Sequence, residues 1–436
     1  MPFLTRLRRP GTRNAGVAAL TVALAVFMAA CGQNHPDSIF HQRTDVNRDV
    51  DYLFKLLIYA GTGVFIFVEG ILILTLIKYR KRPGQPEPEH VHGNTTLEIA
   101  WTVIPLLILI VIGIPTVRTI FKTQAKARED ALQVEVIGHQ WWWEFRYPQY
   151  GVVTANELYL PLGRTVNFSL RTQDVLHSFW VPALSGKRDL ISNHTNYLWY
   201  TPDSGTVNAF NGACAEYCGT SHANMRFKTF TVSPADFESW AKHTAEAAVG
   251  TVVTVPAAPD TTKPRTAAAI AAGANVAGTQ SPAVAPVQTP VTQAGFIAYP
   301  RDKMPAYTIP ETPYPAGLTF DESLLAKGDP ANGAKLMIGQ ATCLACHTIK
   351  GNPMMQSPVG PNLTHIGSRT TIAAGLFPND PAHLARWIKN APAMKPGIIM
   401  PTLGAGQYDP THKMKSAVNL TDQQIADIVA YLQTLK

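Results

Sequence analysis

Apolar residues follow two different patterns in the first half of this chain. Residues 56–77 and 99–117 are almost continuously apolar, and each run approaches the roughly 20 residues with which a helix crosses a bilayer. Residues 134–137, 166–170, 196–200 and 228–232 instead alternate apolar, aromatic and polar positions between turn residues. The first pattern predicts a transmembrane hairpin over residues 53–121, and the second a small antiparallel β sandwich or barrel over residues 131–243.

The second half contains a low-complexity stretch and a further small domain. Residues 247–293 are mostly Ala, Val, Thr, Pro and Gly without an apolar period, which is typical of a flexible tether. We assign residues 244–316 to this linker and expect it to let the C-terminal domain swing. Residues 324–436 form that domain, which is predicted to be all-α and to close with a helix over residues 422–435.

The N-terminus has the layout of an export signal. Arg6, Arg8 and Arg9 precede an apolar stretch at residues 17–30, and Cys31 follows it. The sequence before Cys31 resembles a bacterial lipoprotein box, so we expect residues 1–30 to be removed, Cys31 to be acylated and residues 31–52 to be periplasmic. The alternative is an uncleaved first membrane helix. The net charge of +7 comes with no basic stripe carrying interleaved aromatics, so nucleic acid is not an expected partner.

The most specific motif is Cys-x-x-Cys-His in the C-terminal domain. Cys343 and Cys346 are spaced for two thioether bonds to one haem, and His347 for ligation of its iron. A redox dithiol or a disulfide is the alternative for the cysteine pair. The expected sixth ligand is Met400, which lies in a loop framed by Pro and Gly. Its rivals are Met354, Met355, Met394 and Met414.

A second cluster of ligand residues lies at the end of the β region. It consists of two cysteines, two histidines, a methionine and one backbone carbonyl, at positions Cys214, Glu216, Cys218, His222 and Met225, with His177 upstream. One thiolate, two imidazoles and a thioether suit a blue-copper site, and the second thiolate allows a bridged pair of copper ions. Zinc is the alternative metal, and a disulfide between the two cysteines is the alternative chemistry.

At these residues the chain resembles subunit II of the haem-copper cytochrome c oxidases, which carries the binuclear CuA centre in a cupredoxin-like domain. Residues 324–436 resemble a class I cytochrome c, with Pro361 in the position that packs on the proximal histidine. The fusion of the two is similar to the caa3-type variant. The resemblance implies that Trp141 passes electrons into copper, that Glu98 guards a proton path into subunit I, and that the Glu216 carboxylate reaches a magnesium ion. For Trp142 and Trp143 we expect a packing role.

The expected function is therefore the electron-input subunit of a respiratory terminal oxidase in a bacterial inner membrane. Covalent haem c attachment is a periplasmic process, so both soluble domains are expected on that side. Expected partners are subunit I, subunit III and a cytochrome c or another periplasmic donor. Oxygen reduction would take place in another subunit. The alternatives are a stand-alone periplasmic electron relay and the CuA subunit of a nitric oxide reductase.

Overall fold

The computed structural model describes residues 21–22, 26, 38–87, 92–124, 129–205, 207–248 and 299–436. Most of the export signal, Cys31 and most of the linker lie outside the described residues. The fold class predicted from the sequence, a two-helix apolar hairpin, a β domain and a helical C-terminal domain, is confirmed. The domain bounds assigned from the sequence, residues 131–243 and 324–436, remain predictions.

The hairpin consists of α1, Asp45–Lys78, and α2, Thr95–Gln124. Their apolar side chains are largely exposed along the length of both helices, as expected for a surface that faces lipid. The α1 helix begins earlier than the apolar run because the Thr44 side chain accepts a hydrogen bond from the Asn47 amide and caps it. This first turn lies on the β domain, where Asn47 donates to the Ala183 carbonyl. Lys122 near the end of α2 pairs with Asp49, so both outer ends of the hairpin lie at the β domain.

The β domain is a sandwich of two five-stranded sheets, with strand orders β3-β2-β1-β5-β8 and β4-β10-β9-β6-β7. The strands are β1 (Leu132–His139), β2 (Trp142–Tyr147), β3 (Val152–Ala155), β4 (Glu157–Pro161), β5 (Val166–Thr172), β6 (His177–Trp180), β7 (Arg188–Leu190), β8 (Asn196–Tyr200), β9 (Asn208–Cys214) and β10 (Arg226–Val232). A helix, α3 (Pro234–Ala245), follows β10. Inward side chains of the two sheets meet in an aromatic core. Phe179 and Phe227 stack there at 5.1 Å, and Trp143 packs against both.

The expectation of a purely antiparallel sandwich is wrong. β1 pairs in parallel with β5, and β4 pairs in parallel with β10. The alternating pattern predicts that a strand is half-buried, but it carries no information about which partner supplies the hydrogen bonds. The order of strands was therefore decided by long-range packing.

The C-terminal domain is built around two helices, α4 (Pro330–Ile338) and α7 (Asp422–Thr434). A Cβ on Gly333 would lie 2.0 Å from the Asp427 carbonyl oxygen, so only glycine lets α4 approach α7 this closely. Thr421 and Gln424 form a capping box at the start of α7. Two further α-helices are α5 (Pro381–Lys389) and α6 (Ala391–Met394).

The Pro- and Tyr-rich segment before this domain packs against both folded domains. On the β-domain side, the Tyr299 ring stacks on Phe230 at 4.8 Å, and Asn211 donates to the Tyr307 carbonyl. On the other side, Arg301 donates to the Asn379 carbonyl at 2.6 Å. Residues 299–308 therefore act as a strap across the two domains.

Candidate functional site

The ligand candidates of the β domain come from three neighbouring strand ends of one sheet. His177 opens β6, Cys214 closes β9, and Met225 directly precedes β10. Cys218 lies in the connection between β9 and β10, and His222 begins a short 3-10 turn, His222–Asn224, within the same connection. Because β9 pairs with both β6 and β10, these strand ends lie side by side.

The side chains of these residues converge on the two sulfurs. The Cys214 and Cys218 Sγ atoms lie 3.8 Å apart. The Nδ1 of His177 is 3.8 Å from the Cys214 Sγ, and the Nδ1 of His222 is 3.6 Å from the Cys218 Sγ. The Met225 Sδ lies 3.8 Å from the Cys218 Sγ. The Glu216 carbonyl oxygen lies 3.2 Å from the Cys214 Sγ. All six sequence-predicted residues are thus brought together.

A second layer orients His177. Its Nε2 donates to the Asp174 carboxylate at 2.8 Å, which leaves the Nδ1 lone pair directed at the sulfur pair. Burial opposes protonation of this fully buried imidazole, but the hydrogen bonds to Asp174 and Cys214 outweigh it and raise the pKa of His177. Asp174 was not selected from the sequence, although its position three residues before His177 is a usable signal.

The two thiols share one negative charge. The hydrogen bond from Cys218 lowers the pKa of Cys214, and the thiolate so formed raises the pKa of Cys218. A bound metal would remove the second proton, since thiolates are the metal ligands. The sulfur separation is far longer than the roughly 2.05 Å of a disulfide bond. Two soft thiolates, two imidazoles and a weak thioether form a donor set that fits copper.

Trp141 lies against the same loop. Its indole Nε1 donates to the Cys218 carbonyl at 2.9 Å, and the Gln140 side chain donates to that carbonyl at 2.7 Å. The other two tryptophans differ from it. Trp142 stacks on His139 at 4.1 Å, and Trp143 is fully buried in the aromatic core. Of the three indoles, Trp141 is the one hydrogen-bonded to a cysteine of the cluster.

In the C-terminal domain, the Cys-x-x-Cys-His motif forms one tight turn. The residues Cys343–Ala345 form a 3-10 helix, and the His347 amide donates to the Cys343 carbonyl at 3.0 Å. The His347 Nδ1 donates to the Pro361 carbonyl at 2.8 Å, which leaves Nε2 as the free ring nitrogen. Burial lowers the pKa of His347 and keeps the ring neutral, the form that ligates iron. These features fit covalent haem attachment with an oriented axial histidine.

The five candidate methionines have different surroundings. Met355 and Met394 are buried in the core of the C-terminal domain, whereas Met354 and Met414 are exposed. Met400 is half-buried and packs against the cores of both the C-terminal and the β domain. This intermediate position favours Met400 as the side chain presented to the haem iron.

The loop that carries Met400 lies on Trp141. A Cβ on Gly397 would be 3.0 Å from the Trp141 ring, and Gly397 has a positive φ of 85° that favours glycine. The Lys395 ammonium donates to the Trp141 carbonyl at 2.6 Å. The C-terminal domain is thus docked on the β domain in the described arrangement, and the expectation that it swings on its tether stays a prediction. Ala391, at the start of α6, and Ile398, in the Met400 loop, pack into the core of the β domain.

A second contact between the domains centres on Glu157, at the start of β4. Its Oε1 accepts hydrogen bonds from the Thr370 amide at 2.6 Å, the Thr370 hydroxyl at 2.5 Å and the Thr371 amide at 3.2 Å. A third contact joins His365 to the Glu246 carbonyl at 3.2 Å, with the His243 ring beside it. None of these residues carries a motif, so sequence reasoning did not find them.

The two carboxylates assigned by resemblance lie in different parts of the molecule. Glu98 is exposed in the first turn of α2. The Glu216 side chain is half-buried in the cysteine loop. Both roles involve other subunits and remain predictions.

Comparison with known proteins agrees with this architecture. The family model of the cytochrome c oxidase subunit II transmembrane domain matches residues 40–119, that of its periplasmic domain residues 152–232, and that of cytochrome c residues 330–436. The chain is 28% identical over 390 residues to cytochrome c oxidase subunit 2 of Alkalihalophilus pseudofirmus, covering 88% of this chain and 86% of the relative. It is 32% identical over 205 residues to the probable cytochrome c oxidase subunit 2 of Rickettsia bellii, covering 42% of this chain and 75% of the relative.

A solved structure also matches. The crystal structure of the periplasmic domain of subunit II of cytochrome oxidase from Bradyrhizobium japonicum is 26% identical, with a TM-score of 0.26, and covers 27% of this chain and 95% of that chain.

The fold and the site define a membrane-anchored electron-transfer protein that binds copper in its β domain and haem in its C-terminal domain. Within that class, the chain belongs to the cytochrome c oxidase subunit II family and carries a C-terminal cytochrome c domain. It is thus a subunit of a haem-copper oxidase and associates with other oxidase subunits.

Proposed function

We propose that this chain passes electrons from a covalent haem c in its C-terminal domain to a binuclear CuA centre in its β domain, and from there to subunit I. The observation that carries the proposal is the convergence of two imidazole nitrogens and a thioether on the Cys214 and Cys218 sulfurs, all within 3.8 Å. When bound, the bridged copper pair would share one electron, and the haem would take up and release one.

The residues of the β domain would hold and orient the two copper ions. His177 and His222 would be the terminal ligands, Cys214 and Cys218 the bridging ones, and Met225 and the Glu216 carbonyl the weak ones. Asp174 holds the His177 ring. Because these groups lie at the ends of three paired strands and in the short connection between two of them, little rearrangement would accompany a change of charge.

On the haem side, Cys343 and Cys346 would form the thioether bonds, His347 would be the proximal ligand and Met400 the distal one. The Pro361 carbonyl orients the His347 ring. The route between the centres would run through the contact of the Met400 loop with Trp141, whose indole reaches the carbonyl of Cys218.

We also propose the periplasmic side for both soluble domains. The β domain lies at the outer ends of α1 and α2, so the connection between the helices lies at the opposite membrane face. That connection follows Lys78 and contains Arg80, Lys81 and Arg82, which suits a cytoplasmic loop. Glu98 at the start of α2 would then lie near the cytoplasmic face, beside the proposed proton path of subunit I. The Glu216 carboxylate would reach a magnesium ion at the same partner. Subunit III and a periplasmic donor such as cytochrome c are further proposed partners.

The proposal is tested by following the purified oxidase complex after it is reduced and mixed with oxygen. We expect the absorption bands of haem c and of the copper centre to report oxidation of both centres together, before the catalytic haems reach their final oxidation state. Electron paramagnetic resonance should show hyperfine splitting from two equivalent copper nuclei. A haem c that stays reduced during turnover, or a site that holds zinc or a single copper ion, would contradict the proposal.

A further inference from the structure

We propose that Glu157 and Lys395 are positioning residues that hold the C-terminal domain on the β domain in one fixed orientation, with the Met400 loop on Trp141. This inference rests on the proposed haem-to-copper path for its consequence, but the docking itself is independent of that path. The two side chains reach across the interface in opposite directions: Glu157 belongs to the β domain and Lys395 to the C-terminal domain.

Both side chains are almost completely removed from solvent. Glu157 is 3% exposed and Lys395 is 2% exposed. Burying a charged group costs free energy unless hydrogen bonds replace its water. The partners that replace this water come largely from the opposite domain, so the burial is tolerated only when the two domains are correctly docked.

The geometry at Glu157 is that of an anion held by backbone donors. One carboxylate oxygen accepts from two successive amides, Thr370 and Thr371, and from the Thr370 hydroxyl. Burial raises the pKa of the Glu157 carboxyl, and these hydrogen bonds, together with the positive charge of the buried Arg369, oppose that rise. Such charge-assisted hydrogen bonds are directional, so a shift of the C-terminal domain would break several of them together.

The geometry at Lys395 links the interface to the electron path. Its ammonium donates to the Trp141 carbonyl at 2.6 Å and to the Ala373 carbonyl of its own domain at 3.3 Å. Lys395 also lies five residues before Met400, at the start of the loop that covers the indole. The hydrogen bond of Lys395 therefore connects the Met400 loop to the backbone of Trp141.

Two buried ionisable side chains in different parts of one interface fix the relative orientation of the two domains. An apolar interface tolerates sliding, whereas any other docking would bury Glu157 or Lys395 without its partners. The consequence for electron transfer is that the C-terminal domain is a fixed donor and needs no diffusional search before each transfer. The contact also covers Trp141, which is only 8% exposed, so an external donor would deliver its electron to the C-terminal domain.

The test uses the complete oxidase complex and four variants. Glu157→Ala removes the acceptor, and Glu157→Gln keeps a carbonyl oxygen for the Thr370 and Thr371 amides. Lys395→Met keeps the side-chain length without the ammonium. Lys327→Met is the matched control, because Lys327 is exposed on the C-terminal domain. An unaltered haem c spectrum shows in each case that the domain is folded.

The first readout is hydrogen–deuterium exchange of peptides that contain Thr370 and Thr371 and of peptides around Trp141. We expect faster exchange in both regions for Glu157→Ala and Lys395→Met, recovery in Glu157→Gln, and no change in Lys327→Met. Unchanged exchange in both of the disruptive variants would overturn the proposal.

The second readout is the rate of electron transfer from haem c to copper after flash reduction. We expect the parent rate to be independent of solvent viscosity, and the two disruptive variants to be roughly tenfold slower and viscosity-dependent, because the docked fraction limits the rate. A parent rate that already falls with viscosity would overturn the proposal. If no transfer occurs while the exchange results are as expected, the docking stands and the haem-to-copper path fails.

Discussion

The two metal-binding domains differ in how far the polypeptide alone assembles the site. In the β domain, the imidazole and sulfur atoms lie within 3.8 Å of the two cysteine sulfurs. In the C-terminal domain, Cys343, Cys346 and His347 share one turn, but Met400 comes from a distant loop. The proposed copper ligands therefore lie at the ends of paired strands and in one connection between them, whereas the proposed haem ligands lie on two separate segments that only the porphyrin would connect.

The two sites therefore differ in how far they are formed before the cofactor binds. A site built on rigid neighbouring strands is preorganised, so metal binding needs little ordering of the chain. A site completed by a large apolar group uses that group as part of its core. We expect the β domain to tolerate loss of its metal structurally, and the C-terminal domain to be more sensitive to changes at its ligands. Substitutions in both domains test this difference between the two sites. The largest effect on a cofactor is expected at the proposed bridging cysteines.

Removal of one bridging sulfur should abolish the copper pair. In Cys218→Ser, a hydroxyl replaces the sulfur that lies 3.8 Å from Cys214 and 3.6 Å from His222. A hydroxyl is a poor ligand for copper, so the thiolate-to-copper absorption should disappear while the haem c spectrum is unchanged. The reciprocal variant, Cys346→Ser, should alter the haem spectrum and leave the copper absorption intact. A persistent dicopper spectrum in Cys218→Ser would refute the bridging assignment.

Loss of the distal thioether should lower the potential of the haem. Methionine opposite histidine raises a haem potential, so Met400→Ala should lower it by roughly 0.2 V within the span of about 0.8 V that axial ligands cover. Redox titration of the haem absorption measures the shift. Met414→Ala is the control, because Met414 is exposed. An unchanged potential in Met400→Ala would move the ligand to Met354, Met355 or Met394.

Acidification should weaken the contact between the two domains. Burial lowers the pKa of His365 to about 4, with His243 and Arg369 adding to this effect and hydrogen bonds to the backbone of Glu246 and Lys436 opposing it. Because the folded-state pKa lies below the value near 6.5 of the unfolded chain, the stabilisation is complete above pH 6.5. It is lost as the pH falls from 6.5 to 4, by up to about 3 kcal/mol.

Thermal unfolding of the full-length chain between pH 4 and 8 measures this loss. His365→Phe keeps a ring beside His243 but cannot gain a proton, so its midpoint should fall less steeply between pH 6.5 and 4. Equal pH profiles for the parent and the variant would show that other groups cause the acid sensitivity.

Adding a single methyl group beside the proposed proximal histidine should destabilise the protein less than acidification does. A Cβ on Gly360 would lie 2.8 Å from the His347 Cε1 and 3.3 Å from the Cys346 carbonyl oxygen. Gly360→Ala should therefore tilt the ring and destabilise the C-terminal domain by about 1–3 kcal/mol, the range of overpacking. Gly186→Ala in the β domain is the control, because its Cβ would meet nothing within 4 Å. Calorimetry measures the loss of stability in each variant, and the haem absorbance followed during unfolding shows whether the C-terminal domain is the part affected.

The fold class was predictable because each domain has a local signature. The two apolar runs, the alternating strands and the Cys-x-x-Cys-His turn are properties of short segments. The ligand residues of the copper loop were also selected from their spacing, and the structure brings them to the same place. The supporting residues were not: Asp174, Gln140 and Glu157 are common residue types whose roles depend on what lies opposite them.

The sequence by itself determined the domain types and the donor groups of both proposed ligand sets, since these depend on residue types at short separations. Only the tertiary structure decided the parallel pairing of β1 with β5, the burial of Glu157 and Lys395, and the docking of the Met400 loop on Trp141. These features join residues up to 254 positions apart. Contacts at such separations arise from the complementarity of whole surfaces, which no local pattern of hydrophobic and polar residues records.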